Sequence, residues 1–218
     1  QGFRATFGYP LSSKLSLNMG YNADYILEDD ETEGSITNIL SANLVYDDRD
    51  NPLFPTAGTK RSLKLEKAGG FAPGLSFTQA TFTGTYFQGL PAIDVAGEKK
   101  QTFGFNLELG LGIDTPENYQ AEFGGKNSIR GVKGAEAINY GFLNSEYRLQ
   151  LVPGSLYIAT FVDGGASLEG EEDIYLRAST GFEINLRLFG HIRIGVAWPL
   201  DEDFNYVPSF YFGMGPIF

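Results

Sequence analysis

The sequence predicts an all-β fold, an antiparallel transmembrane β-barrel with about eleven strands in its 218 residues. Three observations carry that expectation. Apolar residues alternate with polar or small ones over stretches of about 10 to 14 residues, the period-two signature of a strand with two unlike faces. No stretch approaches the ~20 consecutive apolar residues of a spanning helix. Mean hydropathy is nevertheless only −0.15, which suits barrel strands because each buries only every second residue in lipid. The opposite face carries Glu108, Arg177, Glu183, Arg187 and Arg193, which would be costly in a dry sandwich core and natural in a wet lumen.

The strands are expected near 2–10, 13–27, 35–48, 57–68, 75–88, 99–113, 141–152, 155–164, 174–187, 190–199 and 206–218. Between the second and third lies the acidic stretch Glu28 to Gly34. The third and fourth join through Asp47 to Thr56, and the fifth and sixth through Gly89 to Glu98. The sixth is the cleanest: Phe103, Phe105, Leu107, Leu109, Leu111 and Ile113 oppose Thr102, Gly104, Asn106, Glu108, Gly110 and Gly112. After it comes the longest connection, about 114–140. The seventh and eighth strands turn at Pro153-Gly154. The ninth sets Ile174, Leu176, Ala178, Phe182, Ile184 and Leu186 against Arg177, Ser179, Gly181, Glu183, Asn185 and Arg187, and turns at Phe189-Gly190. In the tenth, Ile192, Ile194, Val196 and Trp198 oppose Arg193, Gly195 and Ala197. The last places Phe210, Phe212, Met214 and Phe218 on one side. Nothing reads as a helix. Strands of a soluble sandwich average ~5 to 6 residues, shorter than these.

Connection lengths orient the barrel, since outer-membrane barrels have short periplasmic turns and long external loops. The long connections, including Gly165 to Asp173 and Asp201 to Asn205, are therefore expected outside, with Phe218 at the periplasmic end. The connections Asp47 to Thr56 and Gly89 to Glu98 are longer than that rule prefers. Closed single-chain barrels have even strand numbers. With about eleven strands and no signal-peptide layout in GFRATFGYPLSSK, we expect this chain to be part of a longer protein whose other strands complete closure.

Composition excludes several functions. With 16 Lys+Arg against 27 Asp+Glu the net charge is −11, so no basic surface is available for nucleic acid. No Cys and one His leave no thiolate metal site, cysteine nucleophile or disulfide scaffold. His191 is isolated and no G-x-S-x-G elbow occurs, so no catalytic residue, metal or cofactor is expected. Glu28, Asp29, Asp30, Glu31 and Glu33 read as a solvated loop ahead of a calcium site. Asp48-Arg49-Asp50 does not continue as an EF-hand because Pro52 and Pro55 follow. Trp198 reads as part of an interfacial girdle.

Three segments go beyond generic pattern. The first is DDRDNPLFPTAGTKRSL, Asp47 to Leu63. The second, FGGKNSIRGVKG, Phe123 to Gly134, lies in the longest connection. The third is the terminal YVPSFYFGMGPIF. Together they resemble the outer-membrane assembly superfamily of BamA, TamA and the two-partner secretion transporters. The first is similar to its periplasmic turn with a Phe-Pro-Thr-x-Gly core, and the second to its GG-x-x-(S/T)-(V/I)-RG-(F/Y) loop motif, with Val132 where an aromatic is usual. The third resembles the terminal-strand signal, carried here by Phe210, Phe212, Gly213, Gly215 and Phe218.

The resemblance implies that this chain holds the later strands of a 16-stranded barrel, with the 114–140 loop folded inward. It implies that Ile129, Arg130 and Gly131 form a lumen brace in which Glu146 and Asp163 grip Arg130. It further implies a non-enzymatic protein of the outer membrane of a Gram-negative-type bacterium, or of an organelle of that descent, which inserts unfolded β-barrel proteins through a weak seam between first and last strands. Periplasmic polypeptide-transport-associated (POTRA) repeats and accessory lipoproteins would be its further partners. The alternatives are a two-partner or patatin-linked secretion pore, or a passive porin.

Overall fold

The structure, a computed structural model, describes residues 2–26, 35–72, 74–95, 97–169, 173–187, 191–200 and 207–215. Its strands are β1 Gly2–Pro10, β2 Leu15–Ile26, β3 Ser35–Asp47, β4 Gly58–Ala68, β5 Phe77–Asp94, β6 Glu98–Ile113, β7 Ala121–Phe123, β8 Ala135–Ala137, β9 Asn139–Val152, β10 Leu156–Glu169, β11 Asp173–Arg187, β12 His191–Pro199 and β13 Ser209–Met214. Eleven of these make one antiparallel sheet in chain order, interrupted only where β6 pairs directly with β9, and β7 and β8 form a separate hairpin. Among the described residues β1 pairs with β2 and β13 with β12, and neither pairs with the other.

The sheet is inside out by the standard of a water-soluble protein. Phe103, Leu107, Leu111, Leu143, Val162, Leu176, Phe182, Ile184, Ile194, Phe210 and Phe212 are exposed, whereas Asn106, Asn144, Glu146, Arg148, Asp163, Glu183 and Arg193 are buried. Alternation puts these two sets on opposite faces of the same strands. An apolar surface continuous over many strands is far larger than a soluble monomer exposes, and lipid is the solvent that suits it. The polar face is the interior. The sheet curls around it: Phe54, in the β3–β4 turn, stacks on His191 of β12 with ring centroids 5.0 Å apart.

Five sequence expectations change. The strand expected at 75–88 runs on to Asp94 and the next begins at Glu98, in place of the long Gly89 to Glu98 connection. Pro91, which has no N–H to donate, is accommodated at a register shift between Leu90 and Ile93. The strand expected at 155–164 continues to Glu169, so Gly165 to Asp173 is mostly ladder and not an external loop. Gly165 looks loop-like by composition but is required there, since a Cβ would lie 2.6 Å from the Gly141 carbonyl oxygen and 2.7 Å from the Phe142 side chain. The long loop stops short of Tyr140, because β9 begins at Asn139, whose side chain accepts the Gly112 N–H at 3.1 Å. That loop also holds a single 3-10 turn, Glu117–Tyr119, where no helix was expected. The strand expected at 206–218 is shorter, since Val207, Pro208 and Gly215 lie outside β13, while residues 206 and 216–218 lie outside the described residues, as do the whole acidic run from Glu28 to Gly34, the Phe189-Gly190 turn and the Asp201 to Asn205 connection.

Candidate functional site: a loop anchored on a buried charge cluster

Residues 114–138 leave β6, turn back over the polar face and return to β9. Their apolar residues give the loop a small core: Phe123, Ile129, Val132 and Ala137 are buried together with Phe142 of β9. Val132 therefore packs even though it is smaller than an aromatic. Near its start the loop packs on the adjacent strand β5, where Tyr119 meets Phe77 and its carbonyl oxygen accepts from Gln79 Nε2 at 2.7 Å. The hairpin turn is closed by Ser128, whose Oγ accepts the Gly124 N–H at 2.7 Å, and by the Gly125 N–H to the Val132 oxygen at 2.7 Å. Gly131 has φ +79, and a Cβ there would lie 2.4 Å from Ala197 Cβ of β12.

This turn delivers Arg130, 0% exposed, to a set of carboxylates. Its Nε and Nη2 donate to Asp163 Oδ2 and Oδ1 at 2.7 Å each, and its own backbone N–H donates to Asp163 Oδ2 at 3.0 Å. Its Nη1 donates to Glu146 Oε1, and the guanidinium lies 3.6 Å over the Phe161 ring. The fork of Arg suits such two-carboxylate capture, and the stacking occupies the remaining face. Burial alone works against the charged guanidinium, but the charges of Glu146 and Asp163 outweigh it and hold the proton more firmly than usual.

The structure thus brings Arg130, Glu146 and Asp163 together, and adds three charges the motif did not indicate. Arg148 Nε donates to Glu146 Oε2 at 2.7 Å, and Glu183 Oε2 lies 3.7 Å from both Arg130 Nη1 and Arg193 Nη1. Three arginines and three carboxylates balance, which is how buried charges avoid an uncompensated desolvation cost. The only available sequence signal was phase, since Arg148, Glu183 and Arg193 sit on the polar faces of their strands. Sequence separation gave no hint that Glu183 meets Arg130. Further bonds pin the loop backbone: Asn144 Nδ2 donates to the Ser128 oxygen at 2.5 Å, Arg177 Nη1 to the Lys133 oxygen at 2.6 Å, and Arg193 Nη2 to Asn127 Oδ1 at 2.9 Å.

A second ordered element is the β3–β4 turn. Asp48 Oδ1 accepts the Thr59 N–H at 2.7 Å; Asp50 accepts the Thr56 and Ala57 N–H groups at 2.8 and 3.1 Å and the Thr56 hydroxyl at 2.5 Å. Asn51 Oδ1 accepts the Leu53 and Phe54 N–H groups. Partial burial raises the Asp50 carboxyl, but the Thr56 hydroxyl and the two amides outweigh it and leave it below its ordinary range. A carboxylate depressed on folding stabilises the turn above its unfolded value, about 4, and loses that contribution as pH falls through the folded value. Amide exchange at Thr56 and Ala57 is therefore expected to accelerate, relative to its intrinsic rate, on acidification below about pH 4. In Asp50→Asn the same amides should be poorly protected throughout, and equal protection in both proteins would contradict the assignment.

Comparison with known proteins decides the family. A match to the Omp85 superfamily domain covers residues 1–218. This chain belongs to the Omp85 superfamily. Among solved structures it is similar to BamA from Haemophilus ducreyi lacking POTRA domains 1–3, with a TM-score of 0.70 at 15% identity over 97% of this chain and 52% of that one. At that identity the likeness is one of fold, and the chain spans about half the length of the BamA structure. No curated protein matches it by sequence. The inverted polarity of the sheet is accordingly that of an Omp85 outer-membrane barrel.

In this Omp85 chain the terminal strand is tied to the charge cluster. Tyr211 of β13 donates to Glu183 Oε2 at 2.8 Å. Gly213 lies under Arg193, since a Cβ there would sit 2.9 Å from its Nη2. Gly215 has φ +85 and its N–H donates to the His191 oxygen at 2.8 Å. Phe210 and Phe212 project from the outer face, Phe210 being 80% exposed.

Proposed function

We propose that this chain is the C-terminal transmembrane barrel region, residues 1–218, of an outer-membrane assembly factor that folds and inserts other β-barrel proteins. The observation carrying this reading is the link from the Arg130 anchor through Glu183 to Tyr211 of β13. Ile129, Arg130, Gly131, Glu146 and Asp163 act as an internal brace that sets barrel shape. The last strand, with Phe210, Phe212, Gly213, Gly215 and Phe218, forms one half of a weak seam. Its described ladder to β12 is only six residues long, and glycine weakens strand interiors. A strand with a free edge can pair with an incoming strand by main-chain hydrogen bonds, which is β-augmentation. Such a role requires no covalent chemistry.

In this reading the turns joining β1 to β2, β3 to β4 and β9 to β10 face the periplasm, as does the C-terminus. The partners are the lipid bilayer, unfolded barrel substrates, POTRA repeats elsewhere in the longer protein, and accessory lipoproteins. The test uses the full-length protein in liposomes and follows how fast an unfolded outer-membrane barrel becomes protease-resistant. Acceleration by the wild type and loss of most of it in Arg130→Ala is the expected result. Equal acceleration by both would keep the insertase and discard the brace. No acceleration by either would shift the assignment to a secretion pore of the two-partner or patatin-linked kind, or to a passive porin if only ion conductance is found.

A further inference from the structure

The charge cluster leaves the turn end of the interior unexplained. A polar-lined interior is a path for water unless side chains fill the vestibule at that end. Here the vestibule is filled from the side by the β3–β4 turn. Phe54, buried, crosses from its own strands to the far wall, stacking on His191 of β12 and meeting Tyr157 of β10 edge-on at 5.4 Å. Pro55 and Thr56 follow it, against a narrow space lined by Lys100 and Thr102 of β6 and Arg148 and Gln150 of β9. The Arg148 guanidinium lies 5.1 Å over Tyr157 and 5.0 Å over Phe87 of β5. Phe54, Phe87, Arg148, Tyr157 and His191 therefore form one transverse layer reaching four separate strands.

The layer contains no residue of the 114–138 loop, and Arg148 links it to the loop's anchor by donating to Glu146. The turn that carries Phe54 is held by the side chains of Asp48, Asp50 and Asn51, so the wedge is presented on a preorganised support and not on a slack connection. A single aromatic so held would be excessive for turn formation alone: the neighbouring Leu53 makes the same turn while remaining 41% exposed.

We propose that the β3–β4 turn is a built-in stopper, and that Phe54 seals the turn end of the lumen against ions and small hydrophilic solutes. The seal is a property of the barrel whichever transport or assembly activity the protein has.

The experiment compares full-length wild type with Phe54→Ala and Leu53→Ala in planar bilayers and in liposome swelling with small sugars. Phe54→Ala is expected to raise conductance and swelling several-fold, while Leu53→Ala stays at the wild-type level. A Phe54→Ala protein that is folded by heat-modifiability yet leaks no more than wild type overturns the proposal. A second measurement does not depend on that variant folding. The chain has no cysteine, so Thr102→Cys, buried beside Phe54, can be probed with a small charged thiol reagent in the folded protein. Protection of this cysteine with Phe54 in place supports the seal, and rapid labelling overturns it.

Discussion

Arg130→Ala is expected to destabilise the full-length barrel by about 3–5 kcal/mol, the cost of removing one partner from a buried ion pair. The reason is what stays behind. Asp163 loses two side-chain donors and Glu146 one, in a site with no exposed surface. Arg148 still pairs with Glu146 and Arg193 still faces Glu183, so Asp163 carries most of the penalty. Arg130→Lys should fall between wild type and alanine, because it keeps the charge but cannot span two carboxylates or stack on Phe161 with a planar face. Denaturant unfolding in liposomes measures the difference, and a double-mutant cycle with Asp163→Ala should give costs well below the sum of the singles. A loss under about 1 kcal/mol for Arg130→Ala, the level of an exposed ion pair, would show that the cluster is solvated and no brace.

Gly131→Ala is expected to be nearly as damaging despite adding one methyl group. The left-handed conformation costs an L-residue about 1–2 kcal/mol, and forced contact with a packed wall adds about 1–3 kcal/mol. Its φ of +79 invokes the first, and the 2.4 Å approach to the fully buried Ala197 invokes the second. Relief of the contact alone, by Ala197→Gly in the same protein, should restore part of the stability and leave the conformational part lost. Since Gly131 adjoins Arg130, the variant should also free the loop, seen as faster cleavage by added protease between Lys126 and Lys133. A stable variant with an uncleaved loop would mean that the turn accommodates a side chain, and that its approach to β12 is not what seats Arg130.

Much of the fold was legible because strand alternation is a local property. Phe103 to Ile113 shows its outer face without reference to any other strand, and the sixth, ninth and tenth expected strands fall within two residues of β6, β11 and β12. Composition misled at Pro91 and at Gly165, where residues that ordinarily end strands instead sit at a register shift and at a close backbone approach. Whether such residues end a strand or are absorbed depends on the partner strand, which the local pattern does not contain.

The candidate site divides the same way. From sequence alone came the all-β class, the polar face carrying Glu183 and Arg193, the loop motif around Arg130 and, through resemblance, two carboxylates for it. Only the tertiary structure decided that Glu183, Arg148 and Arg193 complete a neutral cluster with these, that Tyr211 joins the terminal strand to it, and that Phe54 reaches His191 across the interior. Period two assigns a side chain to a face but not to a height or a neighbour. Those follow from ladder register and from how tightly the sheet curls, which bring residues 130, 183 and 211 together, and 54 onto 191, from segments distant in the chain.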